Sequence, residues 1–475
     1  MRAEALARRQ GPRGTRSAAV SMPRGRAAVA AFLLLVALVF GGGGSGAGLA
    51  NMAVQLAGLA VLAFHRDAVL GFFARAPRLP VVLVAATLAL PLLQLVPLPP
   101  AIWQALPGRD LVTQSFDLIG VKGAWQPFSL SPARTAIAFF SLLPAFAILA
   151  LSWNLAERDR RMLLLAVAVG GVIVTALGAQ QLASGNHLFV FYDEVVGSAD
   201  LQGTFSNRNS GALMLDIALV ALVGAVPWRR VSPAWKLGTV AMAILLVTGV
   251  VLTGSRSGMM LLAVPGLLAV GMGWSAHGFG RDRRKAALIL AGAVLALAAG
   301  GLLLSGNHRI QQRMARFHSV EDEQRPIIWK DTVEAAGRYW PVGSGVGSFD
   351  EVFQVDEALE NLSYGRAGRV HNDFLEIALE SGIVGIALVA GWAVAVAMLG
   401  LRTMQAARHQ GRHGAIGLAA LGVFALIALQ SITDYPLRNQ TLLCVAALML
   451  ALLIGTGKAE QERNRAQHDS GSHRD

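Results

Sequence analysis

The chain has 475 residues, of which 54% are hydrophobic and only 15% charged, with a formal net charge of +12. Soluble domains carry about 25% charged residues, so this composition excludes a string of water-soluble domains, a disordered chain and a collagen-like repeat. The single Cys444 excludes an intrachain disulfide and a cysteine zinc cluster, and at a mean hydropathy of +0.52 the positive charge reads as basic cytoplasmic loops, not nucleic-acid binding.

The first 26 residues carry seven arginines and no apolar run, and read as a basic tail. A cleaved signal peptide is the alternative, because an apolar region follows. MPRGR at Met22 would also serve as a translation start. Apolar segments then recur near the length a spanning helix needs, about 20 residues. They predict an all-α, polytopic membrane protein of about twelve spans, near 27–44, 48–64, 79–98, 134–153, 161–182, 209–226, 235–253, 258–275, 286–304, 374–400, 414–432 and 438–454. Placing both termini inside puts 27 of the 41 Lys and Arg residues in the tails and in short inner loops, including 65–78 and 401–413. The expected organisation is a cytoplasmic tail 1–26, spans one to nine over 27–304, a large outward loop 305–373, spans ten to twelve over 374–454 and a cytoplasmic tail 455–475. Two further outward loops, 99–133 and 183–208, lie within the first block.

The outward segments hold the residues able to do chemistry. GTFSNRNSGALM places Asn207, Arg208 and Asn209 at the outer end of a span. They suit a sugar or phosphate, or else form a helix N-cap with polar flanks. TGSRSG sets Arg256 in a short turn whose glycines permit close backbone approach; a hairpin touching lipid headgroups is the structural alternative. In RPIIWKDTVEAAGRYW, Pro326 suits a first helical position, which would put Arg325 beside a helix N-terminus fit for a phosphate. PVGSGVGSF lacks the spacing and the βαβ setting of a dinucleotide site and reads as a backbone turn.

VHNDFLEIALESGIVG holds His371 where the large loop meets a span. A neutral His is a general base near pH 7, with Asp373 or Glu376 available to orient it. Glu376 and Glu380 share a helix face and should point at protein or water. TDYPLRN supplies Asp434, Tyr435 and Arg438 in the last outward turn. His409 and His413 are four apart but have no acidic partner nearby, so no metal site is expected. Arg208, Arg256, Arg325, His371, Asp434 and Arg438 all fall on one outer face, which fits an anionic ligand such as a lipid pyrophosphate.

In motif order and loop size, GTFSNRNSGA, TGSRSG, the long segment from RPIIW to GVGSF, HNDFLEIALESGIVG and DYPLRN resemble the O-antigen ligase and O-antigen polymerase family of bacterial inner membranes. The resemblance runs from about 203 to 439. It implies glycan transfer from undecaprenyl pyrophosphate at the periplasmic face, onto lipid A–core or a growing glycan chain. It implies Arg256 and Arg325 gripping pyrophosphate and His371 assisting the acceptor. Asn207, Arg208, Asn209, Asp373, Glu376, Asp434 and Arg438 are expected to bind substrate. Inversion at the anomeric carbon, no metal or other cofactor, and partners in polysaccharide export or chain-length control are also implied. The basic tail and the length of 99–133 do not map onto the family pattern. A transporter or lipid flippase is the rival class, but the spans are nearly free of charge and no half-to-half symmetry is visible. A non-catalytic assembly scaffold is the third reading.

Overall fold

A computed structural model describes residues 23–44, 46–121, 123–227, 231–277, 320–358, 367–410 and 414–471. The span expected at 286–304, the start at Met22 and His413 lie outside these residues, as does the side chain of His409. The described chain is mostly helical. With no water in the hydrocarbon to satisfy backbone groups, a spanning chain closes its hydrogen bonds within each helix.

Five helices among the described residues are long and apolar enough to cross a membrane. They are α7 (Pro132–Ser152), α8 (Glu157–Ala183), α9 (Arg208–Ala225), α10 (Pro233–Leu252) and most of α15 (Asp373–Gln410). A bent pair, α2 (Gly48–Phe64) and α3 (Arg66–Arg75), adds a sixth if counted as one span. Shorter apolar segments lie in α1 (Pro23–Phe40), α4 (Arg78–Gln94), α11 (Arg256–Leu261) with α12 (Ala263–His277), α16 (Gly414–Gln430) and α17 (Gln440–Gly471). Every expected span that falls in the described residues coincides with one of these helices.

The inner segment 65–78, expected as a loop, instead forms α3, turned by 76° from α2. Asp67 in its first turn and Arg75 in its last complement the helix dipole. Its Phe72 is fully buried and meets Phe146 and Trp153 edge-on at 6.0 and 6.2 Å. That aromatic contact makes the bend worth keeping.

α9 lies at the centre, packed against α8, α10 and α16, while α7 packs on α17, α2 and α1. Small residues set these distances. A Cβ on Gly171 would sit 2.4 Å from the Ala218 methyl, and one on Gly224 2.4 Å from the Ala419 methyl. In lipid, where apolar burial between helices gains little, such close van der Waals contact holds them together.

One end of the bundle carries a second layer. Strands β1 (Pro97–Leu98) and β2 (Gln126–Pro127) pair antiparallel, with Pro97 opposite Pro127. They bracket α5 (Pro100–Trp103) and α6 (Asp110–Leu118). Across from them stand α13 (Val320–Tyr339) and α14 (Phe349–Asp356), packed around Tyr339, Phe349 and Phe353. Arg109 joins the two halves: it is 1% exposed, donates to the Phe128 carbonyl at 2.7 Å and faces the rings of Phe128 and Tyr339. Burial pulls its guanidinium down to about 10, still a cation at neutral pH.

The glycine turn does a specific job. α15 breaks at Gly382, whose φ of 53° and ψ of −141° are essentially reserved for glycine. The break frees the carbonyls of Leu379 and Glu380. Ser344 N–H takes the first at 3.0 Å and Gly345 N–H the second at 2.8 Å, while Ile383 N–H returns to the Pro341 carbonyl at 2.9 Å. Gly343, Gly345 and Gly347 all have positive φ. PVGSGVGSF is thus a turn inserted into a helix break, and it fixes the outer layer onto the start of α15.

Candidate active site

The site forms where the outer end of α9, the turn before α11, the start of α15 and the last outward turn converge. Asn372 caps α15: its Oδ1 accepts from the N–H groups of Phe374 and Leu375 at 3.0 and 3.1 Å. His371 stands just before the cap with a φ of 54°, a left-handed conformation uncommon outside glycine. That geometry turns the imidazole toward the last outward turn. Its Nδ1 lies 3.4 Å from Asp434 Oδ1, and its ring meets Tyr435 edge-on with centroids 5.0 Å apart.

Asp434 is 2% exposed and firmly held. Asn207 Nδ2 donates to both carboxylate oxygens at 3.4 and 3.2 Å, and Tyr435 N–H donates to Oδ1 at 2.9 Å. Burial would raise its pKa, but His371, a hydrogen bond from Asn209 and the charge of Arg325 outweigh it and bring it below the ordinary carboxylate value. The ionised carboxylate is therefore fully in place above about pH 4 and is lost only as pH falls below that range. Tyr435 is driven up to about 12 by burial and by the neighbouring Asp434 charge, so it remains a phenol.

Asp434, not Asp373 or Glu376, faces the imidazole. Asp373 instead secures the last turn: it accepts from the Ser431 hydroxyl at 2.9 Å and from Leu437 N–H at 3.3 Å. Glu376 and Glu380, both fully buried, clasp Arg438. Its Nη2 is 2.6 Å from Glu380 Oε2 and its Nε 3.3 Å from Glu376 Oε1. Burial alone would lower the guanidinium, but Glu380 and Glu376 push it above its ordinary value. Arg369, not foreseen from the sequence, also reaches Glu376 Oε1, at 2.7 Å. Its signal was a cation two residues before the histidine.

The arginine turn connects to the same network. Ser255 caps α11, accepting from Gly258 N–H at 3.1 Å, and its hydroxyl donates to Asn209 Oδ1 at 2.7 Å. Ser255 is thereby linked to Asn209, which acts on the Asp434 carboxylate beside His371. Arg256, half-buried, is the first residue of α11. Asn207 caps α9, accepting from Asn209 N–H at 2.8 Å, and Arg208 begins that helix with Nη1 3.0 Å from Asp200 Oδ2. Arg325 departs from expectation. α13 already starts at Val320, so Arg325 and Pro326 lie inside the helix and no free N-terminus stands beside Arg325. Its charge nonetheless acts on Asp434.

Beside His371 opens a cavity of about 1060 Å³. Asn207, Arg369, His371 and Arg438 line its polar end, and Leu149, Val389, Trp392 and Phe424 its apolar depth. Arg208, Arg256 and Arg325 are not among the residues that line it. Among the described residues no group of three or more His, Cys, Asp or Glu is arranged to hold a metal ion.

The family model for O-antigen ligase matches residues 241–390. No curated protein matches the chain. The matched stretch contains Arg256, Arg325, the glycine turn, His371, Glu376 and Glu380, and stops short of Asp434 and Arg438. It is set in a bundle of apolar helices. Residues 241–390 are thus similar to the O-antigen ligase family, a match that supports a family of that type.

Proposed function

We propose that this protein transfers an oligo- or polysaccharide from an undecaprenyl-pyrophosphate donor to a glycan acceptor at the periplasmic face of a bacterial inner membrane, with both termini cytoplasmic. The observation that carries this reading is the placement of His371. A buried, ionised Asp434 stands at its Nδ1 and the mouth of a deep, apolar-floored cavity opens beside it. With Nδ1 turned to Asp434, the proton belongs there and Nε2 is the atom that accepts one.

In the reaction, His371 Nε2 removes the proton from an acceptor hydroxyl as its oxygen attacks the donor's anomeric carbon. The new glycosidic C–O bond forms from the face opposite the leaving group, which inverts the configuration. The bond from that carbon to the pyrophosphate oxygen breaks, and the electron pair leaves with the pyrophosphate. Arg256 and Arg325, with Arg208, hold the pyrophosphate, and their guanidinium forks offset its developing charge without a metal ion. Imidazolium formed in the step is stabilised by Asp434, and it returns its proton to solvent or to the departing lipid pyrophosphate.

Asn207 and Asn209 support Asp434 in this reading, and Arg438 sets the turn that carries it. Asn207 and Arg438 also line the cavity, where they can meet substrate as expected from the sequence. Proteins for polysaccharide export or chain-length control remain the partners this pathway calls for.

Deleting the gene and separating the strain's glycans by size and by attached lipid tests the proposal. Long chains stranded on undecaprenyl pyrophosphate identify a ligase acting on lipid A–core or a similar acceptor. Single repeat units without long chains identify a polymerase. A glycan profile identical to that of the parent strain contradicts both.

A further inference from the structure

Asp200 lies in the outward segment between α8 and α9, among none of the residues expected to act. Its side chain is 16% exposed and its Oδ2 is 3.0 Å from Arg208 Nη1. The other oxygen faces the arginine turn: a Cβ built on Gly254, just ahead of Ser255 and Arg256, would lie 2.9 Å from Asp200 Oδ1. Gly254 has a φ of +65°, so both its conformation and its contact with Asp200 favour glycine.

The segment is fixed on all sides of that carboxylate. Asp200 N–H donates to Ser198 Oγ at 3.2 Å, and the Asp200 carbonyl accepts from Asn186 Nδ2 at 3.1 Å. Leu201 N–H donates to the Leu252 carbonyl at 2.9 Å, at the end of α10 and two residues before Gly254. Asn186 is itself fully buried. One carboxylate therefore bonds the arginine at the head of α9 and lies close to the turn that leads to the arginine at the head of α11.

We infer that Asp200 is a positioning residue for anion binding: it orients the Arg208 guanidinium, close to the Gly254 turn that leads to Arg256, so that Arg208 presents its fork to the pyrophosphate. This rests on the glycan-transfer reading, in which those arginines hold the donor. A planar fork bound on one side by a carboxylate presents its remaining N–H donors in a fixed direction. The orientation is settled before the ligand arrives, and less freedom is lost on binding.

A double-mutant cycle on the full-length protein in detergent tests this, with undecaprenyl pyrophosphate as the probe. Asp200→Ala should weaken its binding about ten-fold, and Arg208→Ala at least as much. The double variant should bind no more than about two-fold worse than Arg208→Ala alone, because Asp200 acts through Arg208. In transfer assays Asp200→Ala should lower kcat/KM for the donor while leaving acceptor KM nearly unchanged. Asp200→Asn, which keeps the shape and one acceptor oxygen, should fall between wild type and Asp200→Ala, and it serves as the readout if the alanine variant does not fold. Additive losses in the cycle, unchanged binding by both Asp200 variants, or an effect confined to the acceptor would overturn the inference while the wild type still binds and transfers. A wild-type protein that neither binds undecaprenyl pyrophosphate nor transfers glycan would overturn the glycan-transfer reading and this inference with it.

Discussion

His371→Ala should reduce glycan transfer by about 10²–10⁴-fold, the span that a positioned general base contributes, while the protein still accumulates in the membrane. The side chain is partly exposed and lines the cavity, with Asp434 and Tyr435 beside it. Activity, not stability, is what it supports. The loss should appear in kcat, with donor binding near wild type, because in this reading the donor is held by arginines and not by His371. Steady-state transfer kinetics, together with the elution profile of the purified variant, separate these effects. A variant that elutes as a folded monodisperse species and turns over at the wild-type rate would remove His371 from the chemistry.

Arg438→Leu should act in the opposite way, through the fold. Arg438 is the cation between Glu376 and Glu380, and both carboxylates are fully buried. Removing one partner of a buried ion pair leaves uncompensated charge, at a cost of about 3–5 kcal/mol. Arg369 reaches only Glu376 among the two, so Glu380 would bear most of the penalty. Thermal unfolding in detergent should show a large drop in Tm, and the variant should be poorly retained in the membrane. Adding Glu380→Gln to Arg438→Leu should recover much of the loss, since the orphaned charge is then gone. If Arg438→Leu melts like wild type but fails to bind the donor, Arg438 is a substrate contact, as its sequence context first implied.

The contrast between these two residues marks what the sequence reveals and what it hides. Hydropathy is a local property, so the apolar helices among the described residues were legible residue by residue. The segment 65–78 was misread because its polar ends mask Phe72, and the burial of that ring against Phe146 and Trp153 depends on a helix far along the chain. His371 could be singled out because a histidine at the outer end of a span, followed by Asn and Asp, is an unusual grouping. Its carboxylate partner could not. Asp373 and Glu376 are the near neighbours in sequence, but the cap at Asn372 and the left-handed backbone of His371 turn the ring away from them, toward Asp434 some sixty positions on. Arg325 was placed at a helix start because Pro326 favours that position, yet α13 begins earlier and carries Pro326 within it. The glycine spacing was legible as a turn, while its insertion into the break at Gly382 depends on hydrogen bonds between segments about 35 residues apart.

The most direct test of the account supplies the purified protein with glycan-loaded undecaprenyl pyrophosphate and a lipid-linked glycan acceptor, in detergent and with a metal chelator present. The account predicts release of undecaprenyl pyrophosphate and an acceptor lengthened by the whole donor glycan through a linkage of inverted configuration, with Arg256→Ala and Arg325→Ala deficient in both products. No transfer by folded wild-type protein, or transfer that the His371 and arginine substitutions leave untouched, would contradict it.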